Sequence, residues 1–136
     1  MSGNVEIIRR AFAAFEARDL DGLLAVCSPE IVFEPVTARI AAGGVPYRGH
    51  EGMRRYLEDV ARVWQELRPA PDRYEEAGGG VVVATGRVYA WGVGRVIDAP
   101  AGWFWRVDDG QIVYGRIYET PAEALHAAGM ASRGRG

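Results

Sequence analysis

The stretch that decides the fold is residues 95–119, which read RVIDAPAGWFWRVDDGQIVYGRIYE. Two runs rich in aromatic and branched residues, 95–107 and 111–119, flank Asp108-Asp109-Gly110, where glycine supplies the positive φ of a tight hairpin turn. Pro100 cannot donate a hydrogen bond to a neighbouring strand, so we expect it at a bulge or a sheet edge. This stretch therefore predicts two long antiparallel strands.

Three helices are predicted upstream of this hairpin. Apolar residues from Val5 to Phe15 recur at helical spacing with charged residues between them. A second, short helix follows Asp19, a good N-cap, and covers 20–27. The third helix covers 51–67 and ends before Pro69 and Pro71. Its apolar stripe consists of Met53, Leu57, Val60, Trp64 and Leu67.

The remaining segments are β-rich and complete an α+β pattern. Strands are predicted at 31–36, 73–76 and 81–91, and a short helix at 122–128 closes the chain. Helices segregated onto one face of an antiparallel sheet are typical of α+β domains. We assign residues 1–130 to a single domain, and we expect 131–136 to be a disordered tail.

Composition narrows the function classes. The 136-residue chain has a net charge of −2 and no basic run, which argues against nucleic acid as a partner. Its apolar runs are too short to span a bilayer, and its N-terminus does not resemble a signal peptide, so we expect a cytoplasmic protein. An arginine-rich chain without lysine suggests a bacterial gene and excludes Schiff-base chemistry on lysine.

The metal-binding side chains are few. One cysteine, Cys27, excludes an internal disulfide, and the two histidines, His50 and His126, are far apart in the sequence. We therefore expect neither a metal site nor a cofactor. Cys27 is predicted to pack in the short second helix. His50 is either an exposed residue at a helix start or a proton shuttle at a cavity rim.

Four segments carry a resemblance to a known family: 12–24 (FAAFEARDLDGLL), 47–52 (YRGHEG), 109–113 (DGQIV) with 116–118 (RIY), and 124–129 (ALHAAG). Together with the element order, they resemble the SnoaL-like branch of the nuclear transport factor 2-like (NTF2-like) superfamily. The resemblance implies a curved antiparallel sheet that wraps a long helix and encloses a conical, mostly apolar cavity. It also implies a hydrophobic small-molecule ligand and a homodimer formed through the outer sheet face.

Glu34 is the first catalytic candidate. It lies in the segment 32–36 (VFEPV), which resembles the ketosteroid isomerase stretch in which an acidic residue before a proline abstracts a proton. A carboxylate at an apolar cavity mouth has its pKa raised by desolvation, which suits a general base. The isomerase also needs a tyrosine and a protonated aspartic acid. Ala11 and Gly102 stand at the matching positions, which argues against a close copy of that reaction.

Glu119 is the second catalytic candidate. SnoaL-like cyclases resemble this chain in their final strand and use an acidic residue from that strand as acid or base. Strand alternation places Gly115, Ile117 and Glu119 on one face and Tyr114 and Arg116 on the other. The alternative is that Glu119 interacts with the N-terminus of the closing helix.

Large aromatic side chains are the expected ligand contacts. Trp103 and Trp105 share one strand face, opposite Phe104, so one set should meet the cavity and the other a dimer interface. The residues predicted to contact a ligand are Phe33, Tyr56, Trp64, Trp91, Phe104 and Ile117.

Three functions remain open at this point. The first is a cofactor-independent isomerase or cyclase that abstracts a proton from a hydrophobic, carbonyl-bearing metabolite. The second is a non-catalytic module that binds an apolar ligand in the same cavity. The third is a dimeric interaction domain whose cavity is filled by its own aromatic side chains. Fold alone does not choose among them.

Overall fold

The computed structural model describes residues 3–35, 44–92 and 94–129. The predicted tail, 131–136, lies outside these residues. No helix in the described part of the chain is long and apolar enough to cross a membrane.

Four helices occur in the described residues, and local signals explain where they begin. The Asp19 side chain accepts a hydrogen bond from the Gly22 amide and caps the second helix. Thr120 caps the last helix through the Glu123 amide, with Pro121 in its first turn. The helices are α1 (Gly3–Glu16), α2 (Leu20–Val26), α3 (Gly49–Val63) and α4 (Pro121–Ala127).

The described strands form one six-stranded sheet in the order β2-β1-β6-β5-β4-β3. Their bounds are β1 (Cys27–Glu34), β2 (Tyr47–Arg48), β3 (Glu66–Gly78), β4 (Val81–Gly92), β5 (Arg95–Asp108) and β6 (Gln111–Tyr118). The α+β class is confirmed, but the sheet is mixed, because β1 pairs parallel with β6. Cys27 begins β1, whereas the sequence placed it in the preceding helix.

The boundary between α3 and β3 differs most from the prediction. The helix ends at Val63 instead of residue 67, and β3 begins at Glu66 and runs through Pro69 and Pro71. Both prolines are tolerated because β3 is an edge strand, where half of the backbone N–H groups have no strand partner. Pro100 follows the same rule, since β5 extends beyond the end of β6 at this point.

The hydrophobic core lies on one face of the sheet, called here the inner face. Trp103 and Trp105 of β5 and Val82 of β4 contribute to it, and they pack with buried side chains of α1 and α3, among them Ile8 and Val60. The inner face therefore carries three helices, and its curvature leaves space beneath them.

The last helix lies on the opposite, outer face, so the helices are not all on one side as predicted. Ala124 and Leu125 of α4 pack with Val83 of β4. Gly102 permits this approach: a Cβ atom at that position would lie 2.6 Å from the Ala124 Cβ and 3.0 Å from the Pro121 Cα. A side chain at position 102 would push α4 off the sheet.

Polar contacts anchor α3 to its neighbours. The Tyr47 hydroxyl donates to Asp59 Oδ2 at 2.6 Å, and Arg62 Nη2 donates to Asp59 Oδ1 at 2.7 Å. Asp59 is buried, and the two donors compensate the cost of removing its charge from water. His50 Nε2 lies 2.8 Å from the Cys27 carbonyl oxygen, which ties the start of α3 to β1.

Candidate functional site

A cavity of about 430 Å³ lies between the inner sheet face and the helices. Its lining is almost entirely apolar. It includes Ala11, Phe12 and Phe15 of α1, Met53 and Tyr56 of α3, and Ala101, Trp103 and Trp105 of β5. A concave, mostly apolar space of this size is typical of small-molecule sites.

Aromatic contacts give the cavity its walls. The Phe12 ring meets Trp103 edge-on with centroids 5.3 Å apart, and it meets Trp105 in the same way at 5.7 Å. Phe33 lies nearly parallel to Trp105, with centroids 5.8 Å apart and an interplanar angle of 11°. These contacts fix ring positions that the hydrophobic effect alone would leave undetermined.

Glycine at position 115 makes room for the stacked pair. A Cβ atom there would lie 2.5 Å from the Trp105 ring and 3.0 Å from the Phe33 ring. Phe33 and Gly115 are register partners in the parallel pairing of β1 with β6. The absence of a side chain at 115 therefore allows the two rings to meet over β6.

Few polar groups line the cavity. Tyr56 is 5% exposed, and burial raises the pKa of its hydroxyl, which stays protonated at neutral pH. Burial also raises the pKa of the Cys27 thiol to about 12. Glu119 is the only carboxylate among the described lining residues.

The structure places four of the six predicted ligand contacts around the cavity: Phe33, Tyr56, Trp64 and Ile117. The expected positions of Trp91 and Phe104 were wrong. Trp91 is 47% exposed and pairs with Val96 on the outer face. Phe104 alternates with Trp103 and Trp105, so it points outward and contacts Tyr114 with centroids 5.9 Å apart.

Glu34 does not line the apolar cavity, which corrects its expected position. It follows Phe33 in β1, and because Phe33 points inward, Glu34 points outward. The Tyr114 hydroxyl donates to Glu34 Oε1 at 3.1 Å, and Arg116 Nη1 lies 3.6 Å from the same oxygen. The Glu34 side chain, one-third exposed, belongs to this outward-facing polar group.

Glu119 lies at the boundary between the apolar cavity and a second, polar depression. It follows β6, is exposed, and lines the apolar cavity beside Ile117. It also lines a polar depression of about 340 Å³, together with Glu34, Arg116 and Glu123. Strand alternation predicted that Gly115, Ile117 and Glu119 share one face, and the structure places that face on the inner side.

Ala11 and Gly102 stand where ketosteroid isomerase has its two hydrogen-bond donors, and their surroundings differ. Ala11 lines the cavity, so its methyl group stands where a donor would be needed. Gly102 lies under α4 on the outer face, whereas its neighbour Ala101 faces the cavity. Neither Ala11 nor Ala101 has a side chain that can donate a hydrogen bond.

Part of the cavity lining comes from residues that the sequence did not indicate. Cys27, Pro69 and Ala101 contribute to the cavity but were not predicted to do so. The prolines at 69 and 71 were a usable signal for an edge strand in this segment, because proline within a sheet occurs mainly in edge strands. No group of three or more metal-binding side chains occurs in the described ranges.

Comparison with known proteins identifies the family. The model of the SnoaL-like domain matches residues 8–115. The chain belongs to this family. The NTF2-like fold predicted from the four sequence segments is thereby confirmed. No functionally curated protein matches this SnoaL-like chain.

Solved structures share the fold over nearly the whole chain. An NTF2-like protein of unknown function from Burkholderia pseudomallei is 27% identical with a TM-score of 0.78, over 93% of this chain and 97% of that one. TerC, co-crystallised with polyporic acid, is 25% identical with a TM-score of 0.77, over 93% and 98%. A Mycobacterium tuberculosis protein in complex with estradiol-17beta-hemisuccinate is 17% identical with a TM-score of 0.71, over 87% and 94%. At 17% identity, the likeness shows the fold alone.

Burial of Cys27 predicts an unreactive thiol. Ellman's reagent at pH 8 should modify the folded protein at least about 100-fold more slowly than the urea-unfolded chain, because the thiolate is the nucleophile. The free energy of unfolding should also decrease as pH rises from about 9 to about 12, where only the unfolded chain releases this proton. Equal modification rates for the folded and unfolded chains would contradict the burial of this thiol.

Proposed function

We propose that this SnoaL-like protein binds a hydrophobic small molecule in its apolar cavity. One observation carries the proposal: side chains of the described residues leave about 430 Å³ unfilled between α1, α3 and the sheet. The large rings form the walls and do not occupy the centre, which weighs against an interaction domain with a filled cavity. The small molecules bound by TerC and by the mycobacterial protein give further support.

Filling the cavity with a larger side chain should weaken ligand binding. Ala101 is buried and faces the space, so the Ala101→Phe variant should weaken binding of neutral aromatic compounds about tenfold or more by steric exclusion. Equilibrium dialysis against a panel of such compounds measures this effect. Ala122→Phe, at an exposed position on α4, is the matched control and should bind like the parent protein. Saturable binding that Ala101→Phe leaves unchanged would place the ligand elsewhere.

A second candidate function is cofactor-independent proton abstraction within this cavity, as in an isomerase or cyclase. The position of Glu119 favours it, because this carboxylate lines the apolar cavity and the polar depression alike. It could remove a proton α to a carbonyl of a ligand seated in the cavity. Glu34 is a weaker candidate for the base, since it lines only the polar depression.

Removing the Glu119 carboxylate should separate catalysis from binding. If the protein is an enzyme, Glu119→Gln should reduce proton exchange at the α-carbon of a bound ketone about 100-fold or more and leave affinity nearly unchanged. Deuterium incorporation into 1-tetralone, followed by NMR, measures the exchange. Glu123→Gln is the control, because Glu123 lines only the polar depression. Exchange unaffected by Glu119→Gln would rule out this residue as the base.

We also propose a homodimer formed through the outer sheet face. The helix α4 covers one part of this face, against Val83. Elsewhere Trp91 and Val96, which are register partners, remain 47% and 84% exposed. Apolar side chains that adjoin on a sheet surface favour contact with a partner.

A charged side chain at position 91 should disrupt the proposed dimer. Trp91→Arg should shift the protein towards monomer in sedimentation velocity, because a guanidinium in an apolar interface loses its hydration without a partner. Val45→Arg, at an exposed position away from this face, should leave the assembly intact. A parent protein that is monomeric at every concentration would overturn the proposal.

A further inference from the structure

Tyr56 is a buried residue, and its hydroxyl forms no hydrogen bond with another of the described residues. The ring is held by three aromatic neighbours: Phe15 stacks on it at 5.6 Å, and Phe33 and Tyr47 meet it edge-on at 4.9 and 5.4 Å. The nearby Tyr47 hydroxyl donates its proton to Asp59, and no hydrogen bond joins the two hydroxyls in the described part of the chain. Tyr56 thus sits rigidly in the cavity wall with a hydrogen bond left to make.

A second donor in the same wall is also unpaired. Trp105 lines the cavity, and its indole N–H is buried without a hydrogen-bond partner in the described structure. Trp105 and Tyr56 both contact Phe33, so the two donors belong to one aromatic cluster. Buried polar groups in native proteins are nearly always paired, and unpaired ones call for a specific explanation.

We propose that the cavity selects apolar ligands that carry a hydrogen-bond acceptor oxygen, such as a carbonyl, and that the Tyr56 hydroxyl binds this oxygen. The inference rests on the proposed binding function and names the chemical class of the ligand. An indole N–H can only donate, so the two unpaired groups together favour an acceptor over a donor. A protonated phenol remains a donor throughout the neutral pH range.

The Tyr56 hydroxyl can bind an acceptor oxygen whether or not Glu119 acts as a base. Tyr56 lies on α3, which the hydrogen bond from Tyr47 to Asp59 anchors to β2. Its hydroxyl supplies a donor to a cavity in which Ala11 and Ala101 offer none. Tyr56 is therefore a specificity-determining residue for whichever ligand the cavity holds.

The test compares two probes that differ in one carbonyl group: 2-acetylnaphthalene and 2-ethylnaphthalene. Equilibrium dialysis gives the affinity of each probe for the parent protein and for Tyr56→Phe. We expect the substitution to weaken binding of the ketone about fivefold to tenfold and to leave the hydrocarbon unchanged. Tyr114→Phe removes a hydroxyl on the outer face and should change neither affinity.

A second measurement keeps the inference testable if Tyr56→Phe folds poorly. The infrared carbonyl stretch of bound 2-acetylnaphthalene should lie at lower frequency than in hexane, because a hydrogen bond weakens the C=O bond. A hexane-like frequency in the parent protein would overturn the inference. Equal effects of Tyr56→Phe on both probes would do the same and leave hydrophobic binding standing. Failure of the parent protein to bind either probe, or any compound of the aromatic panel, would instead overturn the proposed function.

Discussion

The stacking of Phe33 on Trp105 across Gly115 is the contact on which the cavity depends. It joins β1, β6 and β5 at one point, because Phe33 and Gly115 are register partners and Trp105 pairs with Gly115 from the other side. A Cβ at position 115 would lie within 3.0 Å of both rings. With any larger residue the rings would separate, and Phe12 and Tyr56, which pack against them, would lose their supports.

The same register determines which side chains face the cavity. Phe33 inside requires Glu34 outside, so the carboxylate expected to act in the cavity instead joins Tyr114 and Arg116 on the outer side. The cavity is left with neutral donors in its wall and one carboxylate, Glu119, where it meets the polar depression. That division suits an apolar ligand with a single polar group, since unpaired charge inside an apolar space would be costly.

Rigidity at the site comes from polar contacts outside it. Asp59 receives hydrogen bonds on both carboxylate oxygens, one from Tyr47 and one from Arg62. The Tyr47 bond and the His50 contact to the Cys27 carbonyl hold α3 against β2 and β1. Because Tyr56 lies on this helix and is enclosed by three rings, its hydroxyl position is set before a ligand arrives, which reduces the ordering cost of binding.

The sequence by itself determined the features that repeat locally. Two-residue alternation predicted that Trp103 and Trp105 share a face opposite Phe104, and that Ile117 and Glu119 share a face with Gly115. The Asp19 cap predicted the start of α2, the Asp-Asp-Gly turn predicted the last hairpin, and four short segments indicated the family. Each of these signals depends on neighbours in the chain, and a periodic pattern states which residues share a face.

Only the tertiary structure decided which face is inside and what covers each side. The parallel pairing of β1 with β6 turned Glu34 away from the cavity, and the packing of α4 on Gly102 placed a helix on the outer face. Pro69 could end a helix or occupy an edge strand, and its position was settled by the pairing of β3 with β4. Strand partners and packing faces are contacts between residues distant in sequence, and local patterns do not specify them.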